Sequence, residues 1–432
     1  MGKLAVTGGK KVFAEDLTSD HESIRWPIIT REHEEAVLAV LRSGNMSGID
    51  ITRKFEDEFK EWMGVEYAQA SCNGTASLQE ALWACGVGAG DEVICPSITY
   101  WASCTAALPL GAAVNFADID PETLCIDPDD IEHRIGPRTR AIVVVHYCGH
   151  PCDMDRIMAI ARKHSVKVIE DLSHAHGALY KGRLCGTIGD VCGCSMMSGK
   201  SFPIGEGGML FTNDREIYER AMLFGHYERL IDSNYAKKSE TLTDSTLAKF
   251  IGAPAAGVKH RLNQLSAALG RVQIKCYPAQ MEEIQKAMNY FWDCIGNTPG
   301  LHAHRITLPD STMGGWYYAR GVYHAEELEG LPGAKFMDAV WKEGCHLAGM
   351  GANKPLHRFK LFNEMDFFHQ GKPTSIAFGQ RDVRQNDDTL PVSSRIHEIA
   401  FGIPWFKKYD KNVIEQAAEA YRKVSLNYKE LL

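Results

Sequence analysis

Residues 193–210 read GCSMMSGKSFPIGEGGML, and the fold turns on how that stretch divides. It opens on small and apolar residues, passes through Lys200, and closes on a glycine-rich turn. Pro203 forbids a helix start there, and Gly205, Gly207 and Gly208 permit a tight bend. The pattern predicts a strand over 190–195, a loop carrying Lys200, and a return strand over 208–212. A lysine in such a loop is either a solvated surface residue or a reactive amine, since lysine forms Schiff bases with carbonyls. Gly199-Lys200-Ser201 also looks like the end of a P-loop, but Cys194 stands where that motif needs glycine. The spacing of a P-loop is its mechanism, so nucleotide hydrolysis is set aside.

Strand and helix signals alternate on the N-terminal side of this stretch. Residues 67–72, 92–95, 112–117, 141–145 (AIVVV) and 166–171 (ending VIED) read as short apolar strands. Helical patterns cover 76–86, 99–108, 127–135 and 153–164, and another follows at 214–224. Such βα alternation with apolar strands predicts a mostly parallel sheet covered on both faces, an α/β fold with ligands at the carboxyl ends of the strands. Two amphipathic helices, over 30–42 and 52–63, precede it, and residues 1–29 read as a lead-in arm. Residues 228–249 are polar without period and read as an excursion. Residues 263–284 predict one long helix or two. Beyond residue 285 the character changes. Residues 316–323 (WYYARGVY) read as a strand, and 333–343 and 411–432 as helices. The expected organisation is a large domain over 1–284 and a smaller α+β domain over 285–432.

Composition narrows the function. The 432 residues carry a formal net charge of −8 with no basic run, which argues against nucleic acid or anionic membrane as partner. No apolar stretch approaches the ~20 residues of a membrane span, and the first residues lack a signal-peptide core. The thirteen cysteines form no paired framework and read as reduced thiols of a cytoplasmic protein.

Polar residues gather at the strand ends. Asn73-Gly74-Thr75 lies between a strand and a helix start, where backbone N–H groups and a hydroxyl either bind a phosphate or simply cap the helix. Asp171 ends a strand as a site carboxylate or as a helix cap. Tyr100 and Trp101 stack on a flat ligand or pack in the core. His174 and His176 form an H-x-H pair, a weak metal signal without a Cys-x-x-Cys beside it, and no metal site is expected. An anion turn at Gly74 and Thr75, an aromatic at Tyr100, a carboxylate at Asp171 and an amine at Lys200 together suit one ligand. That ligand is a phosphorylated aromatic aldehyde with a cationic ring nitrogen, which describes pyridoxal 5'-phosphate.

With these residues in view, the chain resembles the DegT/DnrJ/EryC1/StrS aminotransferases. The similarity is carried by SGNMSG and FEDEF (43–59), ASCNGTASLQEAL (70–82), VICPSITYWAS (93–103), VIEDLSHAHGA (168–178), residues 189–210, GVKHRLNQLSAALGRVQ (257–273), KPLHRF (354–359), and LPV with IPWF (390–406). The resemblance implies an aspartate-aminotransferase-like fold of type I, with a mostly parallel seven-stranded sheet, and a homodimer with shared active sites. It implies that Lys200 is the Schiff-base lysine and proton shuttle. Asp171 would hold the pyridine nitrogen protonated, Gly74, Thr75 and Ser195 would cradle the phosphate, and Tyr100 would stack on the ring. The implied reaction moves an amino group from glutamate or glutamine to a keto-sugar or keto-cyclitol.

Two positions depart from the family pattern. His174 stands where glutamine is usual, which keeps an aromatizing reaction like that of aminohydroxybenzoate synthases as an alternative. Lys259 stands where the partner subunit usually donates asparagine to the phosphate; lysine binds phosphate too, as a point charge. A sugar dehydratase of the same family would carry histidine in place of Lys200. A non-catalytic cofactor-binding partner protein would not need both Lys200 and Asp171.

Overall fold

The computed structural model describes residues 2–230 and 241–432. Seven strands form the central sheet: β1 (Tyr67–Ser71), β2 (Glu92–Pro96), β3 (Ala113–Ala117), β4 (Thr139–Val145), β5 (Lys167–Asp171), β6 (Val191–Ser195) and β7 (Gly208–Thr212). Their order is β1-β7-β6-β5-β4-β2-β3. Only β7 runs against its neighbours; the other adjacent pairs are parallel. The chain therefore leaves the sheet after β6 and returns at once, as the glycine-rich turn predicts.

Helices cover both faces, which is why the strands are apolar throughout and buried almost end to end. They include α1 (Arg31–Ser43), α2 (Asp50–Met63), α3 (Gly74–Ala84), α4 (Pro128–Arg134), α5 (Met154–His164), α6 (Arg215–Gly225) and α7 (Gln264–Ile295). Asx side chains cap five of them: Asn73, Asp127, Asp153, Asp214 and Asn263 each accept a hydrogen bond from the first turn. The register aligns the strand ends. Ser71 and Ser195 both face Gly208, and Asp171 faces Val145 on one side and Gly193 on the other. The carboxyl ends of β1, β4, β5 and β6 thus share one edge with the start of β7.

The helix expected over 99–108 is shorter. It spans Ala102–Thr105, and a 3₁₀ turn containing Pro109 follows it. The helical pattern over 263–284 belongs to one helix, α7, which continues through Pro278 to Ile295. Residue 284, where the two domains were expected to part, lies inside that helix. Only Arg320–Tyr323 of the stretch 316–323 is a strand. The excursion expected over 228–249 lies partly outside the described residues.

A second, antiparallel sheet holds β8 (Leu301–Ala303), β9 (Arg320–Tyr323), β10 (Gly349–Met350) and β11 (Ala400–Gly402) in the order β8-β9-β11-β10. It packs with α8 (Gly333–Lys342) and α9 (Lys411–Leu426) around a core that includes Phe291, Trp292, Phe336, Phe401 and Tyr421. The N-terminal arm enters this same core through Leu4, Phe13, Leu17 and Ile24. Backbone bonds from Phe13 to Glu343 (3.0 Å) and from Leu17 to Gly344 (2.8 Å) hold it there. The arm is therefore packed structure next to the C-terminal elements.

A buried carboxylate ties α3 to the carboxyl edge of the large sheet. Glu80 is fully buried and accepts from His226 Nε2 and His260 Nδ1 (2.9 Å each), Ser71 Oγ (2.8 Å) and Gln69 Nε2 (3.2 Å). Burial opposes its charge, yet the two histidines and their hydrogen bonds prevail and pull it from 4.5 down to about 2. A depressed carboxyl stabilises the fold above its unfolded value and loses that contribution as pH falls through its folded value. Glu80→Gln should therefore be most destabilising relative to wild type above pH 4.5, with the gap closing toward pH 2. Urea melts at a series of pH values read this directly; a gap that widens on acidification contradicts it.

Candidate active site

Lys200 sits on the loop between β6 and β7. Cross-loop bonds close that loop: Ser198 N to Gly205 O (2.8 Å), Met196 N to Gly207 O (2.8 Å) and Ile204 N to Met196 O (2.9 Å). Gly205 has φ +89°, a conformation that a side chain would strain. Lys200 N donates to Met197 O (2.8 Å), and the residue is only 6% exposed. Loss of water around the ammonium lowers the amine from 10.5 to about 8, against the opposing pull of Asp171, Cys148 and Cys194. The N-terminal arm fixes the loop from outside, because Trp26 Nε1 donates to Lys200 O (2.8 Å).

Asp171 ends β5 and is buried. Ser103 Oγ donates to its Oδ2 (2.7 Å) and Ser173 N to its Oδ1 (3.0 Å). Ser103 is in turn bonded to Thr99 Oγ1 (3.0 Å). The Ser173 hydroxyl oxygen accepts from Ser195 N (2.9 Å), linking the β5 loop to the lysine strand. Ser103 and Ser173 lie in VICPSITYWAS and VIEDLSHAHGA, but their spacing to Asp171 gave no sign that they orient it.

The helix start at 73–75 lies against the lysine strand. Asn73 Oδ1 caps α3 by accepting from Ala76 N (2.9 Å), so Thr75 is not the cap. Its hydroxyl and the N–H groups of Gly74 and Thr75 have no partner among the described residues. A Cβ at Gly74 would stand 2.6–2.8 Å from Ser195 atoms, so only glycine lets α3 begin against the lysine strand. Ser195 Oγ accepts from Met197 N (3.3 Å), which leaves its hydrogen to donate elsewhere. Tyr100 and Trp101 are 46% and 42% exposed, with ring centroids 4.5 Å apart. Both face outward, where core packing of one was open.

His174 is buried, accepts from Cys148 N at 3.4 Å through Nδ1, and packs on the rings of Tyr317 (4.7 Å) and Tyr147 (5.3 Å). Burial, reinforced by the positive charges of Lys200 and Arg320, pushes it well below 6.5, so it is neutral at neutral pH. His176 is pushed to about 3 for the same leading reason and contacts Ser201 Oγ at 3.2 Å. Neither belongs to a convergent group of metal-ligating atoms among the described residues. Lys259 is exposed, on a segment whose neighbours pair with the end of β1: Cys72 N donates to His260 O (2.5 Å), and Arg261 bridges Ser71.

Tyr317 was not singled out from the sequence. Its stretch reads as a strand, but Trp316 and Tyr318 both have positive φ (+53° and +61°). That backbone costs about 1–3 kcal/mol per residue and persists only where packing enforces it. The resulting hook places Tyr317 over Lys200, with Nζ 4.1 Å from the ring centroid. Alternating apolar and aromatic residues carry no signal for such a reversal.

Comparison with known proteins supplies the context. Residues 27–370 match the DegT/DnrJ/EryC1/StrS aminotransferase family. The L-glutamine:scyllo-inosose aminotransferase of Streptomyces griseus is 31% identical over 443 aligned positions, covering 99% of each chain. GDP-perosamine synthase of Escherichia coli O157:H7 is 36% identical over 250 residues, 58% of this chain and 64% of its own. An aminotransferase structure from Psychrobacter cryohalolentis superposes with a TM-score of 0.77 at 29% identity, covering 93% of this chain and 98% of that one. Among the described residues no helix is long and apolar enough to cross a membrane.

The electrostatics of Lys200 are testable without any substrate. The rate at which it captures an added aldehyde should rise with pH through about 8. Asp171→Asn removes the leading charge that favours the ammonium, so the midpoint should move lower still. A midpoint near 10.5, or an upward shift in the Asn variant, contradicts this electrostatic picture.

Proposed function

Because the chain belongs to the DegT/DnrJ/EryC1/StrS aminotransferase family and is an enzyme of that kind, we propose the following reaction for it. It transfers an amino group from L-glutamine or L-glutamate to a keto-cyclitol or keto-sugar, with pyridoxal 5'-phosphate as cofactor. The observation that carries this is Lys200, a buried amine lowered to about 8, near a carboxylate held by Ser103. The cyclitol class is supported by the Streptomyces griseus relative, whose similarity spans the whole chain, whereas that of the nucleotide-sugar relative stops short.

The residues present fit the cofactor. Lys200 offers an amine to its aldehyde, and Asp171 offers a carboxylate to the ring nitrogen. The free N–H groups of Gly74 and Thr75 lie at the positive end of α3, with the Thr75 and Ser195 hydroxyls as donors to a phosphate. Tyr100 presents a ring face, and neutral His174 replaces an uncharged amide without adding charge. When bound, pyridoxal phosphate supplies an aldehyde that exchanges amines and a pyridinium that takes up electrons from the substrate carbon.

The work of the chain is proton management. At pH 7 an amine with a value near 8 is unprotonated in about a tenth of molecules, against roughly one in three thousand at 10.5. Lys200 Nζ can therefore take a proton from the donor's α-carbon and return it to the acceptor side. Asp171, with one oxygen held by Ser103 and the other by the Ser173 N–H, keeps the ring nitrogen protonated. Tyr317 and His174 exclude water from the amine.

A second copy of the chain completes the proposed enzyme. Tyr100 and Trp101 are exposed, and α1 leaves Leu38 and Leu41 uncovered. Lys259 of a partner would then reach the phosphate. The protein reconstituted with cofactor should show the absorbance of lysine-bound pyridoxal, and L-glutamine should bleach it. Lys200→Ala should remove both band and turnover, and Asp171→Asn should slow turnover by on the order of 10²-fold or more. A Lys200→Ala protein that keeps both would refute the assignment.

A further inference from the structure

A second cluster of ionisable groups lies where β8 meets β9. His302 on β8 stands opposite Val322, so His324 is its diagonal neighbour on the same face of the small sheet. Pairing continues just past the strand, with His324 N donating to Gly300 O (3.1 Å). The two imidazoles stack with centroids 3.9 Å apart and planes at 27°. The third member is Glu122, on the connection between β3 and α4. Asp120 Oδ1 shapes that turn by accepting from Glu122 N (3.0 Å) and Thr123 N (2.8 Å). His304 Nε2 donates to Thr123 O (2.7 Å) and seats the turn against the small sheet. One ligand atom each from Glu122, His302 and His324 thus fall within 4.8 Å of one another. Two surface grooves meet at Glu122, one lined by His324 and Glu326 and the other by His302 and Glu327, which gives an ion a way in.

Hydrogen bonds fix the protons of both rings. His324 Nδ1 meets Glu326 Oε1 (2.9 Å), and His302 Nε2 meets Glu327 Oε1 (2.8 Å). A carboxylate only accepts, so each of these nitrogens carries a proton, and in the neutral ring the other nitrogen is a bare lone pair. For His324 that nitrogen is Nε2, which is buried without a hydrogen-bond partner and lies 3.4 Å from Glu122 Oε1. Two acceptors facing each other repel unless a cation stands between them. Among the described residues no lysine or arginine pairs with Glu122, Glu326 or Glu327. The arginines of the two grooves are taken, Arg305 by Asp293 (2.8 Å) and Arg395 by Glu398 (2.9 Å). Zinc bonds of about 2.0–2.2 Å put tetrahedral ligand atoms about 3.4 Å apart, the separation already present between His324 Nε2 and Glu122. Imidazole nitrogens beside a single carboxylate suit zinc or a similar transition ion, whereas calcium and magnesium take oxygen sets. A carboxylate behind each histidine is the usual support for such a ligand. We propose that Glu122, His302 and His324 bind a zinc-class divalent cation, with water completing its shell, and that the ion pins the β3–α4 connection to the small sheet. The site uses none of the groups around Lys200, so it stands or falls independently of the proposed reaction.

The full-length protein, stripped of metal by a chelator and dialysed, is titrated with zinc chloride in competition with a chromophoric chelator. Free thiols also take up zinc, so the comparison between variants is what decides. Wild type should bind one equivalent more than His324→Ala, and His302→Ala and Glu122→Gln should lose or weaken that same equivalent. The latter two alter exposed or half-exposed side chains and carry the comparison if His324→Ala does not fold. Glu326→Gln and Glu327→Gln keep the ligands and should weaken binding by about 10- to 100-fold. Melting gives a second readout: zinc should raise the Tm of wild type and leave that of His302→Ala where it was. Equal stoichiometry and affinity in wild type and all ligand variants would overturn the site, as would a wild type that takes up no zinc. Stability that depends on His324 and on pH, with no zinc bound, would assign the Glu122 contact to a protonated histidine and overturn the metal.

Discussion

The structure is organised around an amine taken out of water at the carboxyl edge of a parallel sheet. Lowering Lys200 from 10.5 to about 8 corresponds to about 3 kcal/mol against its charged form. At neutral pH, below both values, the fold carries that whole cost. No single neighbour removes it. The loop is locked by its own cross-bonds, by Trp26 from the N-terminal arm, and by Tyr317 from the far side. A cation over a ring returns about 0.5–2 kcal/mol, less than burial takes away. The balance leaves an amine that ionises within reach of neutral pH, which proton transfer requires.

The same edge gathers the other groups for reasons of register. β1, β4, β5 and β6 end together, so Asp171, Ser195 and the start of α3 are neighbours although they are far apart in sequence. Glycine at 74 lets the helix touch the strand, and Asn73 takes the capping role that would otherwise occupy Thr75. The segment leading into β9 supplies Tyr317, on a backbone strained at Trp316 and Tyr318. Strain of that kind is tolerated where a side chain must be delivered to a particular place.

Much of this was legible from local pattern. Apolar strands such as AIVVV, the lysine between a strand and a glycine turn, and Asp171 at a strand end follow from period, turn chemistry and the habits of parallel sheets. What escaped depends on contacts between distant residues. Ser103 and Ser173 are ordinary serines until the fold brings their donors to Asp171. Residues 1–29 have no strong period, yet Leu4 and Phe13 find a core made by residues beyond 284. WYYARGVY has the composition of a strand, and only its packing against the lysine loop turns its first half into a hook. The long helix α7 hides any boundary near 284, because its pattern continues unbroken to Ile295.

The proposed function rests on Lys200 as the amine that holds the cofactor. Incubation with pyridoxal phosphate, trapping of the adduct with borohydride and peptide sequencing to locate the pyridoxyl mass read this out. One label on Lys200 is the expected result. A label on another lysine, such as exposed Lys259 or buried Lys407, or no label on any lysine, would contradict it.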